Sequence, residues 1–236
     1  MNNSEFIFNF LKEKGCDKVF SIVGGHAMYI NAAQHKVYGK DVIYFHNEQS
    51  LTLAADSYTR ILNRPSIVSV TSAPAALNCL NGVLGAFIDN MPLIIISGQP
   101  RSNLNANTIN DKLRQYGDQE FSKITDVVET IVKFSKKLSI KDDIEYEISR
   151  AFSIAISDRP GPVWIDIPLD VQMNKFKKKS NKQKLKRLQN KLPKTEVPNS
   201  KLKFIIDKIN NSKRPIIYAG TDISAFDSRN EFLKLV

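Results

Sequence analysis

The chain has 236 residues, 42% of them hydrophobic and 9% aromatic, enough to bury a core and too apolar for a disordered chain. No apolar run approaches a membrane span; the longest, Pro92 to Ile96, is strand-sized. The net charge of +10 would suit nucleic acid or a membrane surface, but nine Lys or Arg fall between Lys175 and Lys191 with no acid among them, leaving the rest near neutral. That segment reads as a solvated basic linker, with a patch for an anionic partner as the alternative. No nucleic-acid motif accompanies it, so a nucleic-acid partner ranks last. Cys16 and Cys79 make no disulfide framework, and Met1 to Glu5 carries no basic stretch leading into an apolar one. A reduced, cytoplasmic setting without membrane attachment is the expectation.

In chain order, residues 4–14 have the spacing of an amphipathic helix, with Ser4 as its N-cap and Gly15 as its stop. Residues 19–23 form a buried strand that runs into Gly24-Gly25 and a helix over about 26–34. Two glycines permit a tight turn and close approach of a ligand to the backbone. They do not complete a dinucleotide fingerprint, and no P-loop lysine follows. A second strand at 41–45 leads through His46-Asn47-Glu48-Gln49 into a helix ending near Asn63-Arg64-Pro65. On its own, Glu48 is a helix-start acid favoured by the macrodipole, yet it also lies at the carboxyl end of a strand, where α/β sheets bind ligands.

A third strand, 66–70, enters Thr71-Ser72-Ala73-Pro74-Ala75-Ala76-Leu77-Asn78 and a helix running to about 88, whose Gly82, Gly85 and Ala86 suit close packing. A fourth, 93–97, ends at Gly98-Gln99-Pro100. Residues 101–118 are polar with no clear period, a long loop of the kind that often carries function. The pattern resumes with a helix at 119–129, a strand at 131–138, a helix at 142–157 and a strand within 159–168. Six strands separated by helices predict an α/β fold: a doubly wound, mainly parallel six-stranded sheet with helices on both faces. This domain spans 1–171. A basic linker follows at 172–198, helical in part around 184–188. Residues 199–236, with a helix at 200–209 and a strand at 214–220, read as the incomplete start of a further α/β domain.

Several motifs in order carry a family resemblance. Val-Phe-Ser-Ile-Val-Gly-Gly (19–25), Glu-Gln followed by Ala-Ala-Asp-Ser-Tyr-Thr-Arg (48–60), the 71–78 turn, Pro-Leu-Ile-Ile-Ile-Ser-Gly-Gln (92–99), Gln-Glu (119–120) and Arg-Pro-Gly-Pro-Val-Trp-Ile-Asp-Ile-Pro (159–168) resemble the acetolactate synthase-like group of thiamine diphosphate enzymes. The resemblance covers about residues 4–172, the pyrimidine-binding domain, with 199–236 similar to the start of the central domain. It implies that Glu48 exchanges a proton with N1′ of the cofactor's aminopyrimidine, a task suited to a buried carboxyl. It places Gly24 and Gly25 at the reactive centre, Thr71, Pro74 and Asn78 near the pyrimidine, and Gln99 on the substrate side. It makes 159–168 architectural, while His26 reads as a helix-start residue.

The resemblance further implies a carboligase or decarboxylase acting on pyruvate, with a 2-oxo acid or a nucleotide keto-sugar as acceptor. The motifs at 24–31 and 113–120 are more similar to relatives of nucleotide-sugar pathways than to those of amino-acid pathways. A homodimer or larger homo-oligomer is implied as well. The chain departs from the family where Ala73-Pro74-Ala75 stands for Gly-Pro-Gly, where Val23 stands for proline, and where Asn47 stands for histidine. A left-handed conformation at either alanine would weaken cofactor binding. The family's Gly-Asp-Gly motif for Mg²⁺ and diphosphate does not occur in these residues, so no metal ligand is assigned. The expectation is a pyrimidine-side portion, inactive alone, completed by a C-terminal domain or a companion chain. A non-catalytic binding or regulatory remnant is the alternative.

Overall fold

The computed structural model describes residues 1–104, 123–179, 197–226 and 228–236. Six strands, β1 (Val19–Ser21), β2 (Val42–Tyr44), β3 (Ser66–Val70), β4 (Leu93–Gln99), β5 (Phe134–Lys137) and β6 (Val163–Pro168), form one sheet. Their order is β2-β1-β3-β4-β6-β5 and every pairing is parallel. The expected α/β architecture is therefore present. From β1 the chain winds one way to β2, then crosses back to β3 and winds the other way to β4. The winding reverses between β1 and β3, and in such sheets ligands sit outside the carboxyl ends of the strands at that reversal.

Strand residues alternate between two closed cores. Ile94, Ile96, Ile165 and Ile167 face α1 (Asn3–Glu13), α2 (Met28–Tyr38) and the helix Ile144–Ile156, meeting Ile7, Phe8, Leu11, Ile30 and Ile148. Leu93, Ile95, Val68 and Trp164 face α3 (Glu48–Leu62), α4 (Ala73–Asn78), α5 (Leu80–Ile88) and α6 (Ile124–Val128), meeting Leu51, Val83 and Val128. The Ile144–Ile156 helix is α7. Burial on both faces explains why β3, β4 and β6 are mostly apolar and show no alternation of apolar with exposed polar residues.

Local chemistry sets the helix ends. Asn2, not Ser4, caps α1: its side chain accepts from Glu5 N while Glu5 reaches back to Asn2 N. Ser4 is instead buried and donates to Gln172 O. Asn47 caps α3 by accepting from Ser50 N at 3.0 Å, which starts the helix at Glu48 and ends it at the left-handed Asn63. The helix expected to follow the 71–78 turn and run to about 88 forms as α5, and the turn itself carries a further short helix, α4, separated from α5 at Cys79. At the far end of α7, the half-buried Lys133 ammonium donates to Ile154 O and Ser157 O, satisfying terminal carbonyls.

After β6, the short helix α8 (Leu169–Met173) turns the chain back toward its beginning. Asn2 and Lys175 form an antiparallel bridge, and the rings of Phe6 and Phe176 stack with centroids 3.7 Å apart. Most of the basic linker, the helix expected at 184–188 and the Gln119-Glu120 motif lie outside the described residues. The helix expected at 200–209 is present as α9 (Asn199–Asn210). The strand expected at 214–220 is not: Ile216 and Tyr218 are 92% and 98% exposed, and these residues pair with no strand. An extended segment becomes a strand only when a neighbour takes up its N–H and C=O groups, and among the described residues none does. No helix among the described residues is long and apolar enough to cross a membrane.

Candidate functional site

The point where the winding reverses is built from β1 running into Gly24 and β3 running into Thr71. Gly24 is extended, so its glycine is required by proximity and not by backbone angle. A Cβ there would lie 2.4 Å from Thr71 Cβ and 2.7 Å from Thr71 Oγ1. Thr71 Oγ1 is itself buried and has no hydrogen-bond partner. The next residue, Gly25, has open space where a Cβ would be.

Four residues beyond the end of β2, Glu48 occupies the first turn of α3. Asn78 Nδ2 donates to Glu48 Oε2 at 3.0 Å, a bond that joins residues 30 apart in sequence. The backbone of Glu48 is held too, because Thr52 Oγ1 donates to its carbonyl. Thr52 is pressed by α5, where a Cβ on Gly82 would fall 2.6 Å from Thr52 Cγ2, so the close packing expected of Gly82 is realised. Glu48 is half-buried, while Asn78 and Pro74 are exposed. The carboxyl is thus less enclosed than the proton exchange would favour, because α3 follows the edge strand β2. The two pairs, Gly24 with Thr71 and Glu48 with Asn78, are linked by α4, which Thr71 precedes and Asn78 ends. Neither Ala73 nor Ala75 has a positive φ, so the alanines carry no backbone strain.

Gln99 lies apart from these residues. It is the last residue of β4, fully buried, with neither side-chain amide atom hydrogen-bonded. It approaches Asp166 without reaching hydrogen-bonding geometry. Asp166 is wholly buried in β6 and accepts from Ser97 Oγ at 2.5 Å, while Ser97 Oγ accepts from Trp164 Nε1 at 2.8 Å. Burial pushes the Asp166 carboxyl up to about 7. Burial also holds the Lys137 ammonium, its neighbour in the β5–β6 register, below the ordinary lysine range.

The residues just beyond Gln99 reach a cavity of about 340 Å³ lined by Gly25, His26, Met28, Pro100, Arg101, Leu104 and Leu169. His26 is fixed from three directions. Its Nδ1 shares a hydrogen bond of 2.9 Å with Ser72 Oγ. Gln172 Nε2 donates to its carbonyl at 2.7 Å. Gly98 also lets β4 pack on its backbone, since a Cβ there would lie 2.2 Å from His26 O. Sequence reading took His26 for a helix-start residue and did not single out Arg101. Their positions, within five residues of the carboxyl ends of β1 and β4, were the available signal.

Among the described residues no group of three or more His, Cys, Asp or Glu side chains could hold a metal ion. The residues do suit one end of a flat nitrogen heterocycle: a carboxylate steadied by an amide, an orphaned buried hydroxyl, and a cradle that a side chain at 24 would fill.

The family described as "Thiamine pyrophosphate enzyme, N-terminal TPP binding domain" matches residues 1–126. The acetolactate synthase large subunit of Buchnera aphidicola subsp. Acyrthosiphon pisum is 30% identical over 236 residues, covering 98% of this chain and 39% of that protein. Acetolactate synthase 2, chloroplastic, of Brassica napus is 32% identical over 223 residues, covering 93% of this chain and 33% of that protein. This chain therefore spans a third to two fifths of the length of these relatives. Among solved structures, the Rhodococcus jostii RHA1 thiamine diphosphate-dependent 4-hydroxybenzoylformate decarboxylase shares the fold, with a TM-score of 0.78 at 16% identity, covering 98% of this chain and 41% of that one.

Proposed function

This chain belongs to the thiamine pyrophosphate enzyme family, matched through its N-terminal TPP-binding domain, and on that premise we propose that it supplies the pyrimidine side of an acetolactate synthase-like site. The proposed reaction is decarboxylation of pyruvate or another 2-oxo acid and ligation of the resulting two-carbon unit to a 2-oxo acid or a nucleotide keto-sugar. The observation that carries the reading is the Asn78–Glu48 bond beside the Gly24–Thr71 cradle. Glu48 holds or gives a proton at the pyrimidine N1′, and Asn78 fixes the oxygen that is not engaged. Thr71 Oγ1 offers its unused hydrogen-bonding capacity, while Gly24 and Gly25 let the ring approach the backbone. Pro74 opens α4 and so aims Asn78. When bound, thiamine diphosphate supplies the electron sink for the carbanion chemistry. Mg²⁺ and the diphosphate are assigned to sequence carrying Gly-Asp-Gly, in a further domain or a companion chain.

A second copy of the chain is part of the proposal. Leu53 of α3, and Leu84, Phe87 and Ile88 of α5, are exposed on helices that pack on each other. Apolar side chains gathered in this way suit a covered face. Assembly through it predicts a dimer in sedimentation, and Phe87→Asp should shift the chain toward monomer.

Titration calorimetry of the 236-residue chain with thiamine diphosphate tests the site. Saturable binding is expected, weakened about tenfold or more by Glu48→Gln. Pyruvate turnover is expected on adding the segment that bears Gly-Asp-Gly, with the same substitution abolishing it. Equal binding and equal turnover by the Glu48→Gln protein would overturn the assignment.

A further inference from the structure

We infer that the cavity at the ends of β4 and β6 is a subsite for an organic carboxylate, with Arg101 as its anion-binding and specificity-determining residue. The inference rests on the proposed 2-oxo acid chemistry and deepens it, because it moves the substrate contact from Gln99 to Arg101. Gln99 is sealed in the sheet with no exposed surface and does not line the cavity. Arg101, two residues on, does line it; its side chain is exposed and, among the described residues, its guanidinium has no hydrogen bond or ion pair. An always-charged planar fork beside a concave, partly apolar space lacks only an anion, and a carboxylate matches its geometry with two parallel hydrogen bonds.

The other walls select the kind of anion. Met28, Pro100, Leu104 and Leu169 are apolar and accommodate a short carbon body. A phosphate would ask for several more donors than one arginine, and leaving its oxygens against these walls is costly. The volume of about 340 Å³ lies in the range of small-molecule sites. The floor is rigid, since His26 is held by Ser72, Gln172 and the close pass of Gly98. A ligand bound to Arg101 therefore meets a fixed imidazole as its neighbour.

The chain has three histidines, His26, His35 and His46, so the ring C–H resonances of His26 can be followed by NMR in the intact chain. Pyruvate is expected to move the His26 resonances saturably, and the neutral ester methyl pyruvate to leave them in place. Arg101→Gln should raise the pyruvate concentration needed by about tenfold or more, and Arg101→Lys should restore part of the affinity. Pyruvate that leaves His26 unmoved would overturn the inference, as would equal affinity in the Arg101→Gln protein. Inorganic phosphate binding as tightly as pyruvate would also overturn it, by making the site a general anion site. Thiamine diphosphate added to the same samples, with and without Glu48→Gln, reports separately on the pyrimidine-side reading, so either assignment can fail without the other.

Discussion

The sheet body and the C-terminal stretch are built from similar residues with opposite outcomes. In the body, α1 and α3 turn apolar stripes onto strands whose own side chains fill two closed cores. In the stretch after 197, α9 carries a stripe of comparable pattern, yet Leu202, Phe204, Ile205 and Ile206 all stay exposed, as do Ile216 and Tyr218. A 3.6-residue period defines a face; only a second surface makes it a core. The stretch touches the body where Asn90, itself accepting from Arg159 of the body, donates to Asp222.

Substitutions can break this contrast or sharpen it. Trp164→Ala should cost most, about 3–5 kcal/mol by chemical denaturation, because it empties a fully buried site and removes the hydrogen bond that Ser97 Oγ accepts. Next comes the pH dependence of stability from Asp166. Its carboxyl sits near 7 in the folded chain against an ordinary value of 3.8. A raised carboxyl contributes stability that is fully present below the ordinary value and lost as pH rises toward 7, because the unfolded chain gives up its proton first. Its contribution should fall by a few kcal/mol between about pH 4 and 7, and Asp166→Asn should flatten that part of the profile. Gly98→Ala should cost about 1–3 kcal/mol, since its methyl would meet the His26 backbone. It should also shift the His26 resonances. Phe204→Ser should change the midpoint of the sheet body's unfolding least, by less than about 0.5 kcal/mol. A larger loss would mean that α9 is packed on the body.

Much of the fold was legible in the sequence because the strands are buried on both faces. Leu93 to Ile96 is a continuous apolar run and Ser66 to Val70 a β-branched one with two buried serines, each of strand length between turn residues, and both formed as expected. The ends were harder. Ser4 looks as good a cap as Asn2, and only the buried bond from Ser4 to Gln172 separates them. The 214–220 run has strand composition but no ladder neighbour, which composition does not encode. Of the candidate site, the motifs singled out Glu48 and Asn78 separately, but the bond between them joins two helices and has no local signature. His26 does lie in the turn that opens α2, as read, but that it shares a cavity with Arg101 appears only once β1, β4 and β6 are aligned.

The stacked Phe6 and Phe176 rings have a mechanical consequence. They fasten the outgoing chain to α1, together with the Asn2–Lys175 bridge, before it enters the basic segment. A pull on anything carried downstream is therefore borne first by this aromatic clasp and not by the hydrogen-bond ladder of β6. The clasp also brings residues 2 and 175 side by side, so a circular permutant that joins them and opens elsewhere would leave every strand neighbour unchanged.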